Sequence, residues 1–329
     1  MTIHRGTNFV ADELNADGAV EAEILELPGR KTLDIAIVRS LSHRSNARGI
    51  AHIVGHFAAM GLTGTLVWFA LPFPYLLIPA MMLHGATIVT MFAPMHECVH
   101  KTAFKTPILN ETIGWIAGAL CLYNFTYYRR YHTWHHRYTQ DPERDPELSD
   151  PKPKSFWDYA IHISGLPFWI NKPRELFGFA MGRLDSYPYV PAKSRSEITW
   201  SARAQLGLYL LLAIVSIIFQ SPLVLWFWLF PAMLAQPLLR ALLVVEHTGC
   251  SLDSNGLTNT RTTLASWPIR FLMWNMPFHA EHHLFPSIPF HALPQAHERL
   301  RASFTHVAPS YPAANLEVIR DLGKTPSTV

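Results

Sequence analysis

The sequence predicts an all-α membrane protein: four transmembrane helices in two hairpins, with a helical cytosolic cap that carries a histidine-rich di-metal site. Three observations predict it. The 329 residues are 49% hydrophobic and only 16% charged, against about 25% charged in ordinary soluble domains. Four nearly uncharged apolar runs come as two closely spaced pairs. Of the eighteen histidines, nine gather in short motifs outside those runs.

Residues 1–49 are polar, acidic first and then basic, and read as a cytosolic N-terminal tail with one interfacial helix. The opening "MTIHRGTNFVADELNADG" lacks an apolar stretch, so no cleaved secretory signal is expected. Residues 50–329 read as one domain. Crossing a bilayer takes about 20 residues, and spans are expected at about 50–71 and 75–95, separated by "LPFP". A second pair follows at about 204–219 and 223–245, broken by "QSP". The short turns lack Lys and Arg. Basic residues gather instead at the outer ends: Arg30, Lys31, Arg39, Arg44, Arg48, Lys101, Lys105, Arg129, Arg130 and Arg137. The positive-inside rule then puts both termini and the cap, 96–203 and 246–329, in the cytosol.

Within the cap, Thr112 to Phe125 is apolar but too short to span comfortably, which predicts a re-entrant or interfacial helix. The proline-rich stretch 141–200 reads as loops with short helices, and "SFWDYAIHISGLPFWI" is expected on the membrane surface. "FHALPQAHERLRASF" alternates as an amphipathic helix. The aromatic group Trp226, Phe227, Trp228 and Phe230 reads as a membrane belt. A net charge of +3 gives no argument for a nucleic-acid partner. Cys98, Cys121 and Cys250 are too scattered for a disulfide framework and fit a reducing compartment.

Four motifs carry the chemistry. "HECVH" places His96 and His100 at i, i+4, and "EHTG" adds His247 at the end of the fourth run. "HTWHH" (His132, His135, His136) and "HAEHH" (His279, His282, His283) repeat one i, i+3, i+4 pattern. Such spacing aims side chains along one helix face. Imidazole suits iron, copper, nickel and zinc, and nine nitrogens are too many for one ion, so two metals fit the count. Acids stand beside these ligands at Glu97, Asp141, Glu246 and Glu281. Ligating imidazoles usually give their other N–H to a carboxylate or carbonyl, a role open to Glu246. Glu97 and Glu281 are expected to meet basic residues or solvent. Arg240, seven residues before His247, needs a partner inside a membrane. A substrate carboxylate, Glu246 and the interface are all open to it. Trp134 and Asn275 are candidates to shape the site. His52 and His56 are expected to bond another helix or sit at headgroup level. His84 lies three turns before His96, too far for the same ions. His162, His291, His297 and His306 read as structural or surface residues.

Over residues 45–300 the sequence resembles the integral-membrane fatty acid desaturases and their hydroxylase relatives. "HECVHKT", "YHTWHHRYTQDPERDPE", "EHTGC" and "NMPFHAEHHLFP" carry that resemblance. It implies that the nine histidines ligate a di-iron centre that activates O2 over an acyl chain held in a narrow tunnel. Redox chemistry also favours iron over zinc, which has none. Two departures stand out. Many animal-type members carry an asparagine four residues before the lone histidine, where this chain has Leu243. The third motif begins with His279 rather than glutamine, and no cytochrome domain is appended. A separate ferredoxin, rubredoxin or cytochrome with its reductase is therefore expected as electron donor. Desaturation is the expected reaction; hydroxylation and decarboxylation to a terminal alkene by the same site stay open, as does a non-lipid amino substrate.

Two other classes fit these motifs less well. A metal transporter would carry its ligands near the bilayer midplane on broken helices, whereas these motifs lie beyond the helix ends. A zinc-holding relative of the same fold would be separated by metal analysis.

Overall fold

A computed structural model describes residues 29–149 and 152–324, so the expected tail up to residue 28 lies outside it. The described residues are mostly helical. Among the described residues, four helices are long and apolar enough to cross a membrane.

A short helix, α1 (Ile35–Leu41), is capped by the Asp34 carboxylate and packs Leu33 and Leu41 into the main core. The first span, α2 (Asn46–Ala70), begins earlier than the apolar run because Ser45 caps it and its polar first turn is still helical. The second span is broken into α3 (Pro74–Val89) and α4 (Phe92–Val99). Pro94 explains the break, since it has no N–H to offer the carbonyl one turn earlier. Next come α5 (Pro107–Leu120) and α6 (Phe125–Arg137), the latter capped by Asn124. The expected surface segment forms α7 (Phe156–Ser164) and α8 (Leu166–Ala180), hinged at Gly165 with φ 72°. Its exposed Phe156, Trp157, Ile161, Leu166 and Ile170 form an apolar outer face.

The third span, α9 (Ala192–Ile218), starts twelve residues before the expected 204. Its polar first turns continue the helix out of the apolar zone and pack on α8 and α6. A π turn (Leu225–Leu229) leads into α10 (Phe230–Leu243), the fourth span. α10 packs chiefly on α3. Gly85 allows this, because a Cβ there would lie 1.9 Å from the Pro231 carbonyl oxygen; small residues permit such close crossings. An apolar cleft of about 590 Å³, lined by Leu212, Ile217, Leu225 and Trp228 among others, separates α9 from the π turn.

The remaining elements close the cap: α11 (Trp267–Leu272), α12 (His279–Leu284), α13 (Leu293–Leu300) and α14 (Tyr311–Arg320). A two-residue parallel pairing joins β1 (Thr262–Thr263) to β2 (Val307–Ala308).

The membrane-level histidines satisfy helix breaks. Pro231 leaves the Phe227 carbonyl without its helical donor, and His84 Nε2 donates to it at 3.0 Å. His56 Nε2 donates to the Thr87 carbonyl at 2.8 Å, beside the Pro94 break. His52 does the same for Phe271 at 2.8 Å. Unpaired backbone groups cost several kcal/mol in lipid, so these bonds are structural. His52 and His56 thus bond other helices, one of the two placements expected of them.

Candidate metal centre

The helices bring all nine motif histidines together. His96 leaves α4 and His100 caps it; α6 gives His132, His135 and His136; α12 gives His279, His282 and His283; His247 follows α10. The nitrogens divide into two sets. His96, His100, His132, His136 and His282 converge with every ligand atom within 4.8 Å of the others, and so do His135, His247 and His283. His279 joins the second set, its Nε2 3.2 Å from His247 Nε2. His136 and His283 stack across the two sets with ring centroids 3.9 Å apart.

Neighbours on the outer ring nitrogens fix which nitrogen faces inward. His135 Nδ1 donates to Asp145 Oδ1 at 2.8 Å. Thr139 Oγ1 donates to the His135 carbonyl and accepts from His283 Nδ1 at 3.2 Å. His247 Nδ1 meets the Asn259 carbonyl at 3.2 Å, and His132 Nδ1 meets the Tyr128 hydroxyl at 3.3 Å. Such outer contacts orient metal ligands.

The inner nitrogens fit a cation and little else. His135 Nε2 faces His247 Nε2 at 3.2 Å, and His282 Nε2 faces His136 Nε2 at 3.2 Å. His96 Nδ1 and Nε2, His100 Nε2 and His283 Nε2 are buried with no hydrogen-bond partner. Burial pushes His100 down to about 3 and His247 to about 4, so both rings are neutral near pH 7. Burial also opposes a charge on His135, but the carboxylates of Glu147 and Asp145 outweigh it and hold its pKa up. Neutral imidazoles present bare lone pairs to one another, an arrangement that metal ions resolve. Iron suits imidazole donors.

A cavity of about 40 Å³ lies against the cluster. Phe92, Tyr128, Leu243, Met273 and Met276 form its apolar wall, facing His96, His132, His135 and His279. Two acids, Glu147 and Glu246, also line it. Glu246 Oε2 lies 3.5 Å from His279 Nε2, and burial together with the Glu147 charge pushes its carboxyl well up. Leu243 forms part of the wall rather than offering a polar group.

Several sequence candidates lie elsewhere. Arg240 donates to the Tyr123 hydroxyl at 2.8 Å and lies over the Phe168 ring, away from Glu246. Asp141 pairs with Arg144. Trp134 bonds the Arg144 carbonyl and Asn275 the Phe290 carbonyl, so neither touches the cavity. Glu97 is buried and accepts from the Phe290 N–H at 3.0 Å. Glu281 is buried too, taking bonds from Thr262 and from His297, which ties α12 to β1 and α13. The expected basic partner of Glu281 is thus His297. The sequence reading missed Asp145, Glu147 and Arg261. The dense acids of "DPERDPE", directly after a histidine motif, were a usable signal for the first two. Arg261 is buried, donates to the Val245 and Thr248 carbonyls and pairs with Glu317, so it holds the turn bearing His247.

Four apolar helices and a buried imidazole cluster that could hold metal define a helical, membrane-associated protein. The sequence profile for "Fatty acid desaturase" matches residues 66–314, and the chain therefore belongs to the fatty acid desaturase family, a family of oxidoreductases. Dihydrorhizobitoxine desaturase of Bradyrhizobium elkanii is 26% identical over 76% of this chain and 74% of its own length. An sn-1 oleoyl-lipid 12-desaturase of Picosynechococcus sp. is 29% identical, but over only 37% of this chain and 34% of its own length. A second sn-1 oleoyl-lipid 12-desaturase, from Synechocystis sp., is 24% identical over 75% of this chain and 73% of that protein.

Proposed function

We propose that the protein is a membrane di-iron oxidoreductase that uses O2 and two electrons to desaturate a fatty-acyl or lipid-like chain. One observation carries the reading: nine imidazoles converge in two sets beside an apolar cavity, with buried nitrogens on His96, His100 and His283 that no protein group satisfies. His96, His100, His132, His136 and His282 would hold one ion, and His135, His247, His279 and His283 the other. Bound iron supplies the redox chemistry that unactivated C–H bonds require. Oxygen takes two electrons from the substrate's C–H bonds and two from the donor, leaving as two waters.

The chain's own residues bind, orient and exclude water. Phe92, Leu243, Met273 and Met276 press a methylene pair toward the imidazoles and keep bulk water out. Glu246, with its raised carboxyl pKa, holds a proton beside His279 at the cavity edge. Among the described residues no carboxylate pairs with Arg240, and its membrane-level guanidinium is read as a contact for an acidic head group. The metal site and both termini are placed on the cytosolic side, and electrons come from a separate ferredoxin, rubredoxin or cytochrome.

Iron analysis of purified protein, with mass spectrometry of lipids and free acids from expressing cells, tests the proposal. His283→Ala cells are the control. Iron together with a species lacking two hydrogens supports it. Zinc without iron sinks the redox reading. A product with one added oxygen, or a one-carbon-shorter terminal alkene, replaces desaturation with hydroxylation or decarboxylation. A desaturated polar amino compound with unchanged lipids would move the substrate to the class named by the Bradyrhizobium relative.

A further inference from the structure

The two nitrogen sets are unequal: five imidazoles converge on one point and three on the other, with His279 reaching the smaller set through His247. His283 Nε2, in that smaller set, is buried without a partner. The smaller set is also the one with acids at its edge. Glu147 Oε2 stands 3.8 Å from His135 Nε2.

The chain delivers Glu147 to that edge through one carboxylate. Asp145 Oδ1 accepts from His135 Nδ1 at 2.8 Å and from the Glu147 N–H at 2.9 Å. Its other oxygen accepts from the Gln140 N–H at 2.7 Å, and Gln140 Nε2 donates to the His247 carbonyl at 2.8 Å. Gln140 sits at φ 62°, a conformation these bonds enforce. Asp145 therefore fixes the back of the His135 ring and the start of the turn Pro146–Ser149 together. That turn carries Glu147 around to the opposite side of the ring, at Nε2, where the bare lone pair points.

Asp145 already occupies Nδ1, so Glu147 meets the other ring nitrogen, the one turned into the cluster. Donor atoms sharing one ion through bonds of about 2.0–2.2 Å stand about 3–4 Å apart, and 3.8 Å lies in that range. Imidazole donors bring no negative charge to an ion, so an anionic oxygen would offset metal charge in a buried site. We propose that Glu147 is a ligand of the metal ion held by His135, His247, His279 and His283, supplying the oxygen donor that this smaller set lacks. The assignment rests on the di-metal reading above.

The competing role is a plain ion pair with Lys152, whose Nζ lies 3.8 Å from the same oxygen. Full-length protein in detergent, loaded anaerobically with ferrous iron and dialysed against a chelator, separates the two. Iron is counted per chain, and the Mössbauer spectrum reports each ion's surroundings. Wild type should keep about two ions and Glu147→Gln about one, the weaker ion's affinity falling at least about tenfold. Glu147→Asp, which keeps the anionic oxygen, should recover part of the second ion. Lys152→Met should match wild type, as should Glu143→Gln on the same segment. If Glu147→Gln keeps both ions with an unchanged spectrum, the Glu147 assignment fails alone. Equal iron loss in Lys152→Met makes Glu147 an ion-pair partner and overturns the ligand role. A wild type holding a single ion overturns the di-metal reading and this assignment with it.

Discussion

Asp145 contacts a ligand, a neighbouring backbone N–H and the turn bearing Glu147, so it tests how far a carboxylate outside the cavity controls the metals. Asp145→Asn should lower iron affinity by about 10–100-fold while the protein still folds; unchanged iron retention in a chelator titration would refute this. His283→Ala should lose iron and all activity. His84→Ala should keep both, losing only about 1–3 kcal/mol of stability because the Phe227 carbonyl is left unsatisfied. Equal iron content in the two variants would break the ligand assignment. The clustering of the nine histidines was readable in the sequence because each motif is local and helical spacing alone aligns it. Asp145, Glu147, His297 and Arg261 were not, because their partners are set by turns and by contacts between distant segments. Arg261 and Glu317, for instance, meet across the C-terminal fold.

The elements follow a different logic. Hydropathy marked all four apolar helices but missed the break in the second and began the third twelve residues late. It saw neither the Pro94 break nor the polar turns at the start of α9, since both depend on backbone bonding rather than on apolar content. It also could not see which spans would touch. Gly85 decides that by drawing α10 onto α3. Gly85→Leu should drive the two helices apart, cost more than about 3 kcal/mol and displace His247 from the cluster. A thermal-melt series in detergent measures the loss, and a wild-type midpoint would mean that the crossing tolerates a side chain. Gly61, with open space around it, is the matched control.

For the whole molecule, the charge pattern makes a claim about sidedness. Cys98, Cys121 and Cys250 are buried, so an introduced exposed cysteine reports its own side. In intact cells an impermeant maleimide should label Pro72→Cys, in the first short turn, and not Ser303→Cys, in the cap. The reverse pattern would turn the protein over in the membrane. The helical architecture and the histidine cluster were legible from composition and motif spacing. The packing of the cap was not, because no periodic signal marks long loops that pair only through β1, β2 and isolated side-chain bonds.

The pairing of Thr262–Thr263 with Val307–Ala308 bears on the order of synthesis. Thr262 holds Glu281 of α12, and the residues that hold Thr262 in place arrive later: the His306 carbonyl, then Glu317, which anchors neighbouring Arg261. A nascent chain that has reached residue 300 already contains all nine motif histidines but not the brace that aims the last three. On the proposed di-metal reading, metal capture would wait until the C-terminal helix has been made, and the early-emerging His96 and His100 would share an ion with α12 only once the chain's last segment is in place.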